Sequence, residues 1–203
     1  MKNMTKKIVF IALICAIAYV LALLIHFPII PTVAFLKYDV KDVIIAIGGY
    51  VLGPIASTIA TSITAVLEFI LSRSGTREYG LIMNIISSIA FVLPAVLIAG
   101  KQKSVKRVYF GLGLGAIIMT AVMIPANILI TPHFMGIEMD VLMTFMPGII
   151  LFNAIKGVSN AVLTGLIYIP TTKALKAAGF MEKDEEKLCS ESEEEQCQNI
   201  EQK

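Results

Sequence analysis

Six apolar segments alternate with short polar stretches along the chain, at 8–27, 40–53, 54–72, 79–99, 107–131 and 144–172. Five of them approach or exceed the roughly 20 residues that carry a helix across a bilayer. The second holds only about a dozen residues before Gly53-Pro54, so it reads either as a re-entrant element or as a short span shielded by its neighbours. The periodicity predicts an all-α membrane protein of six transmembrane helices with a short second helix.

Lysine and arginine decide between the two readings, because they concentrate in loops on the cytoplasmic side. With six spans and both termini cytoplasmic, nine basic residues fall in inner loops (Lys2, Lys6, Lys7, Lys101, Lys103, Lys106, Arg107, Lys173, Lys176) and four in outer loops (Lys37, Lys41, Arg73, Arg77). If the second segment does not cross, five fall inside and eight outside. Six spans fit better. The outer loops then become 28–41, 73–78 and 132–143, and they carry proline and aromatic residues, as in HFPIIPTVAFLKYD and TPHFMG.

Composition agrees with the pattern. The chain of 203 residues is 57% hydrophobic, with a mean hydropathy of +0.81, well above the composition of soluble domains. The basic start MKNMTKK is followed by an apolar run too long for a signal-peptide core, so that run reads as a retained span. The formal charge of +2 conceals two opposed regions. Residues 180–203 hold nine acids and three lysines, whereas residues 1–179 hold 14 basic and six acidic residues. The expected organisation is a membrane domain over 1–179 and an acidic, disordered cytoplasmic tail over 180–203. Cys15 lies in the first span and Cys189 and Cys197 in the tail, a set that makes neither a metal motif nor a disulfide framework.

Polar side chains inside spans are costly and point to function or to helix–helix contacts. Glu68, Asn84, Asn127, Asn153 and Lys156 all map to the outer halves of their spans, with Asn160 deeper. In GIILFNAIKGVSNAVLTGLIYI (148–169), Asn153, Lys156 and Asn160 recur at i, i+3 and i+7 and share one helix face. Two roles stand open for this face: hydrogen bonds to a ligand, or an ion pair between Lys156 and Glu68. Asn160 reads as helix–helix glue. GLGLG at 111–115 lies within a span and reads as a close-packing surface. No G-x-x-x-x-G-K-[ST], H-E-x-x-H or Ser/His/Asp set occurs, so neither an ATPase nor a hydrolase is expected. In the first span, Ala12/Ala16 and Ala18/Ala22 are both small-xxx-small pairs that admit a close helix partner.

Several stretches resemble a known family. FLKYDVKDV with GGYVLGP (35–54), MNIISSIAFVLPA (83–95), NILITPHFMG (127–136), FNAIKG (152–157) and Ala12-x-x-x-Ala16 resemble the S components of energy-coupling factor (ECF) vitamin transporters, most closely the riboflavin branch. The resemblance covers residues 8–176. It implies a non-enzymatic substrate-binding subunit of the cell membrane, without a cofactor, that takes a vitamin from outside. It also implies partners: a transmembrane coupling protein, met by Ala12 and Ala16, and two cytoplasmic ATPases. The bound subunit would topple to deliver its cargo. Asn153 and Lys156 would bond the flavin, the loop at 35–39 would cover it, and Phe35 and Tyr38 would suit its ring. The alternatives are another vitamin or precursor, or a stand-alone carrier that uses Glu68 and Lys156 as a coupled pair.

Overall fold

The computed structural model describes residues 4–71, 78–100 and 105–177. Six α-helices carry the fold: α1 (Met4–Leu24), α2 (Lys41–Leu52), α3 (Pro54–Leu71), α4 (Glu78–Ala99), α5 (Val105–Met135) and α6 (Met139–Ala177). Five are long and apolar enough to cross a bilayer, which makes this a multi-pass membrane protein. α2 is too short. Its 12 residues extend about 18 Å at 1.5 Å per residue. Its composition fits its place, since nine of the 12 are buried, from Lys41 and Asp42 to Tyr50. Neighbouring helices surround it on most sides.

Each helix boundary has a local cause. α2 stops at Gly53, whose φ of +95° a side chain would oppose, and Pro54 opens α3, where a missing N–H costs nothing. The sequence placed a loop at 132–143. In the structure α5 runs on to Met135 and α6 begins at Met139, leaving a three-residue turn in which Gly136 takes φ +64°. The proline at 132 misleads the sequence reading. Within an apolar helix it is tolerated where neighbours re-satisfy the backbone, and α5 and α6 contain two prolines each.

The residues between α1 and α2 form a small cap. Strand β1 (Phe27–Pro28) pairs antiparallel with β2 (Lys37–Tyr38), with Phe27 opposite Tyr38, and a 3-10 turn (Pro31–Val33) lies between them. The Phe27 and Tyr38 rings pack with centroids 5.8 Å apart. Val33, wholly buried, joins Tyr38, Leu142, Met146, Ile149 and Phe152 in a core that fastens the cap to the first half of α6.

The main core lies among α1, α2, α4 and α5. Apolar burial drives little association between helices in lipid, so close backbone approach must supply the contacts. A Cβ on Gly111 would stand 2.8 Å from the Ala95 carbonyl oxygen, and one on Gly115 would stand 2.6 Å from that of Phe91. GLGLG is therefore the surface on which α5 lies against α4. Residues 72–77 and the acidic segment 180–203 lie outside the described residues.

Candidate functional site

A cavity of about 1180 Å³, its open mouth included, lies between the cap and α1, α3, α4, α5 and α6. It is at the bundle end remote from the N-terminus, where α1, α3 and α5 finish and α4 and α6 begin. Exposed Leu23, His26 and Lys37 stand at its rim. Phe35, Phe69, Leu81, Met83, Met123 and Phe152 supply apolar walls. Glu68, Asn84, Asn127, Asn153, Lys156 and Asp39 supply the polar ones.

Six of the seven side chains expected to meet a ligand line this one cavity: Phe35, Glu68, Asn84, Asn127, Asn153 and Lys156. Tyr38 does not. It is 6% exposed, and its hydroxyl donates to Asn160 Oδ1 at 3.1 Å. Asn160, wholly buried, in turn donates from Nδ2 to Asp42 Oδ2 at 3.2 Å. Both residues bind protein to protein here, Tyr38 from the cap and Asn160 from α6.

An ion pair between Lys156 and Glu68, one of the two roles open to this helix face, does not occur among the described residues. Lys156 Nζ lies 3.0 Å from Asp39 Oδ2 and 3.7 Å from Asp42 Oδ2. Glu68 Oε2 instead receives Lys41 Nζ at 2.8 Å and Asn84 Nδ2 at 2.6 Å. Lys41 also donates to Asn84 Oδ1 at 2.7 Å and stands 3.5 Å from Asp39 Oδ2. Three carboxylates and two ammoniums thus share one buried cluster, and Asp39 stands between the two lysines. Taken alone, each buried charge would be prohibitively costly; alternating signs at hydrogen-bonding distance make the set tolerable.

Asp39 lies in the link between β2 and α2. Burial pushes its carboxyl up, but the Lys156 and Lys41 ammoniums outweigh that and hold it well below the usual carboxylate range. At the rim, burial and the nearby Lys37 ammonium lower His26.

Lys41 and Asp42 were absent from the residues expected in the site, and Asp39 was expected only as part of the covering loop. A hydropathy reading puts them in an outer loop and at the edge of a short segment, where charges are ordinary. The signal lay in their spacing within FLKYDVKDV: three charges in four residues, directly before a segment that needs shielding on every side. Asn127 is also bound within the protein, donating from Nδ2 to the Met123 carbonyl at 2.7 Å and accepting from Thr131 Oγ1 at 3.0 Å. Asn153 likewise donates to the Ile149 carbonyl at 2.8 Å.

The two alanine pairs of α1 separate cleanly. Ala18 and Ala22 are 0% and 3% exposed inside the bundle, whereas Ala12 and Ala16 are exposed on its outside. Cys15, on the buried side, places Sγ 3.7 Å from the Ala60 carbonyl. Among the described residues no cluster of His, Cys, Asp and Glu could hold a metal ion.

A bundle of apolar helices with a capped, polar-lined cavity at one end defines a membrane protein that holds a small molecule. Residues 6–168 match the family described as the ECF transporter substrate-specific component, and the chain belongs to that family. It is a transport component of the cell membrane, not an enzyme. It is 34% identical over 173 residues to the riboflavin transporter FmnP of Bacillus subtilis, covering 81% of this chain and 90% of that protein. To the riboflavin transporter RibU of Staphylococcus aureus it is 28% identical over 178 residues, covering 84% and 93%. A solved S component of a bacterial ECF transporter superposes with a TM-score of 0.76 at 29% identity, covering 86% of this chain and 99% of that one.

Proposed function

We propose that this chain is a riboflavin-binding S subunit of an ECF importer, taking the vitamin from the outer side as cargo and delivering it with a coupling protein and two ATPases. The observation that carries the reading is the cavity itself. Aromatic and thioether side chains face a polar wall that contains Lys156 and Asn153, the division of surface that a planar ring with carbonyls on one edge and a hydroxylated side chain requires. The riboflavin transporters among its relatives support the same ligand. The distribution of basic residues supports cytoplasmic termini, and with them a cap and cavity on the outer side. The exposed Ala12/Ala16 face is the surface offered to the coupling protein, because small residues let another helix approach closely.

Purified in detergent, the protein is expected to quench riboflavin fluorescence on titration. Absence of binding at micromolar flavin discards this ligand, and a thermal-shift panel of other vitamins then identifies the replacement. Flavin uptake into liposomes by this chain alone, without ATPases, would contradict the subunit role. A carrier built on a Glu68–Lys156 couple has no geometric support, since each residue is held by another partner.

A further inference from the structure

Charge is divided unevenly between the two ends of the bundle. All six acids of residues 1–179 sit at the cavity end: Asp39, Asp42, Glu68, Glu78, Glu138 and Asp140. The opposite end, where α1 and α5 begin and α6 finishes, has basic residues alone. Lys6 and Lys7 at the start of α1, Lys106 and Arg107 at the start of α5, and Lys173 near the end of α6 are all exposed. Neither α1 nor α5 has an acid in its first turn. Cations placed there stand against the positive end of the helix dipole, so both starts favour an anion nearby. The chain carries such an anion at this same end. Residues 180–203 follow closely on α6, which finishes at Ala177, and hold nine acids against three lysines.

We propose that residues 180–203 dock on this basic end as its counter-charge, and so screen it from the anionic headgroups of the adjacent leaflet. Reach permits the contact. A segment of this length spans at most about 80 Å, against roughly 30 Å across a six-helix bundle with neighbouring axes about 10 Å apart. Tethering favours it. A segment joined to α6 meets Lys6, Lys7 and Lys106 at an effective concentration of order mM, with no second molecule to recruit. Competing surfaces are closed to it. The basic residues of the cavity end lie on the far side of the bilayer, and an anionic leaflet repels a segment whose acids outnumber its lysines threefold. Exposed ion pairs are individually weak, so the docking is carried by many of them together and is screened by salt. The inference does not depend on which ligand the cavity holds.

The test places the full chain in lipid nanodiscs, one chain to a disc, and adds a water-soluble carbodiimide, which joins a carboxyl group to an amine in contact with it. Linked peptides are identified by mass spectrometry. In phosphatidylcholine discs, acids of 180–203 should be joined to Lys6 or Lys7 and to Lys106 about tenfold more often than to Lys37, which is exposed at the cavity end. Lys173 is too near in the chain to count. Raising the salt from about 0.05 M to about 0.5 M should reduce these links severalfold. Glu191→Gln, Glu193→Gln, Glu194→Gln and Glu195→Gln together leave the six helices untouched, and should cut the links made by Glu182, Glu185 and Glu186 by about half. Replacing about a third of the lipid with phosphatidylglycerol should leave most of the links in place. Links no more frequent than those to Lys37, or links insensitive to salt or to the fourfold change, would overturn docking by charge. Loss of the links in phosphatidylglycerol discs would overturn it too, because the headgroups would then be what covers the basic end.

Discussion

The α4–α5 contact and the charged cluster under the cap hold the same bundle together by opposite means. At the first, two glycines bring backbones within van der Waals contact and no polar side chain is needed. At the second, five charged residues from the cap link, α2, α3 and α6 meet with carboxylate oxygens left over. The first is a permanent joint, complete as it stands. The second sits beside the cavity and leaves three carboxylate oxygens without a partner. Small-residue packing thus serves where the fold must be rigid, and among the described residues the buried charges gather beside the cavity.

The comparison is broken most severely at Lys156. Lys156→Met removes the ammonium that Asp39 and Asp42 share and leaves both carboxylates under-compensated in the interior. Breaking a buried pair in this way costs about 3–5 kcal/mol. The thermal midpoint in detergent should fall by the corresponding amount, and flavin binding should be lost. A loss of stability below about 1 kcal/mol would mean the cluster is hydrated and cheaper than its burial implies.

Next comes the joint. Gly115→Ala sets a methyl group against the Phe91 carbonyl, part of a backbone that cannot rotate away. Overpacking of this kind costs about 1–3 kcal/mol. Gly113→Ala, two residues away with nothing within 4 Å, is the control and should be neutral within about 0.5 kcal/mol. Similar midpoints for the two variants would refute close approach as what joins α4 to α5.

These two regions were unequally visible in the sequence. All six helices and the packing role of GLGLG could be read from hydropathy, because lipid imposes length and polarity on every span. Glu68, Asn84, Asn127, Asn153 and Lys156 were found for the same reason: each is a polar exception inside an apolar run. Asp39, Lys41 and Asp42 broke no such rule, being charges at a loop edge. Only the cap folding over them, with Val33 and Tyr38 packed against α6, makes their burial evident. The partners of Lys156 were equally out of reach, since helix-face spacing tells which side chains share a face but not which loop closes on them. The tail had a clear compositional reading but lies outside the described residues.

The smallest effect on stability carries information of another kind. Ala18 and Ala12 lie on the same helix with the same small-residue spacing, yet Ala18 is 0% exposed while Ala12 faces outward. Ala18→Leu forces three further heavy atoms into the core and should cost about 1–3 kcal/mol. Ala12→Leu meets only lipid in the isolated protein. It should leave the thermal midpoint within about 0.5 kcal/mol of the unaltered chain and leave flavin affinity unchanged. Its effect should be confined to the assembled transporter, where a leucine holds off a helix that the alanine would admit, and ATP-driven uptake should fall while binding persists. Equal uptake by the two proteins would remove Ala12 from the coupling surface, and the remaining candidate on that face would be Ala16.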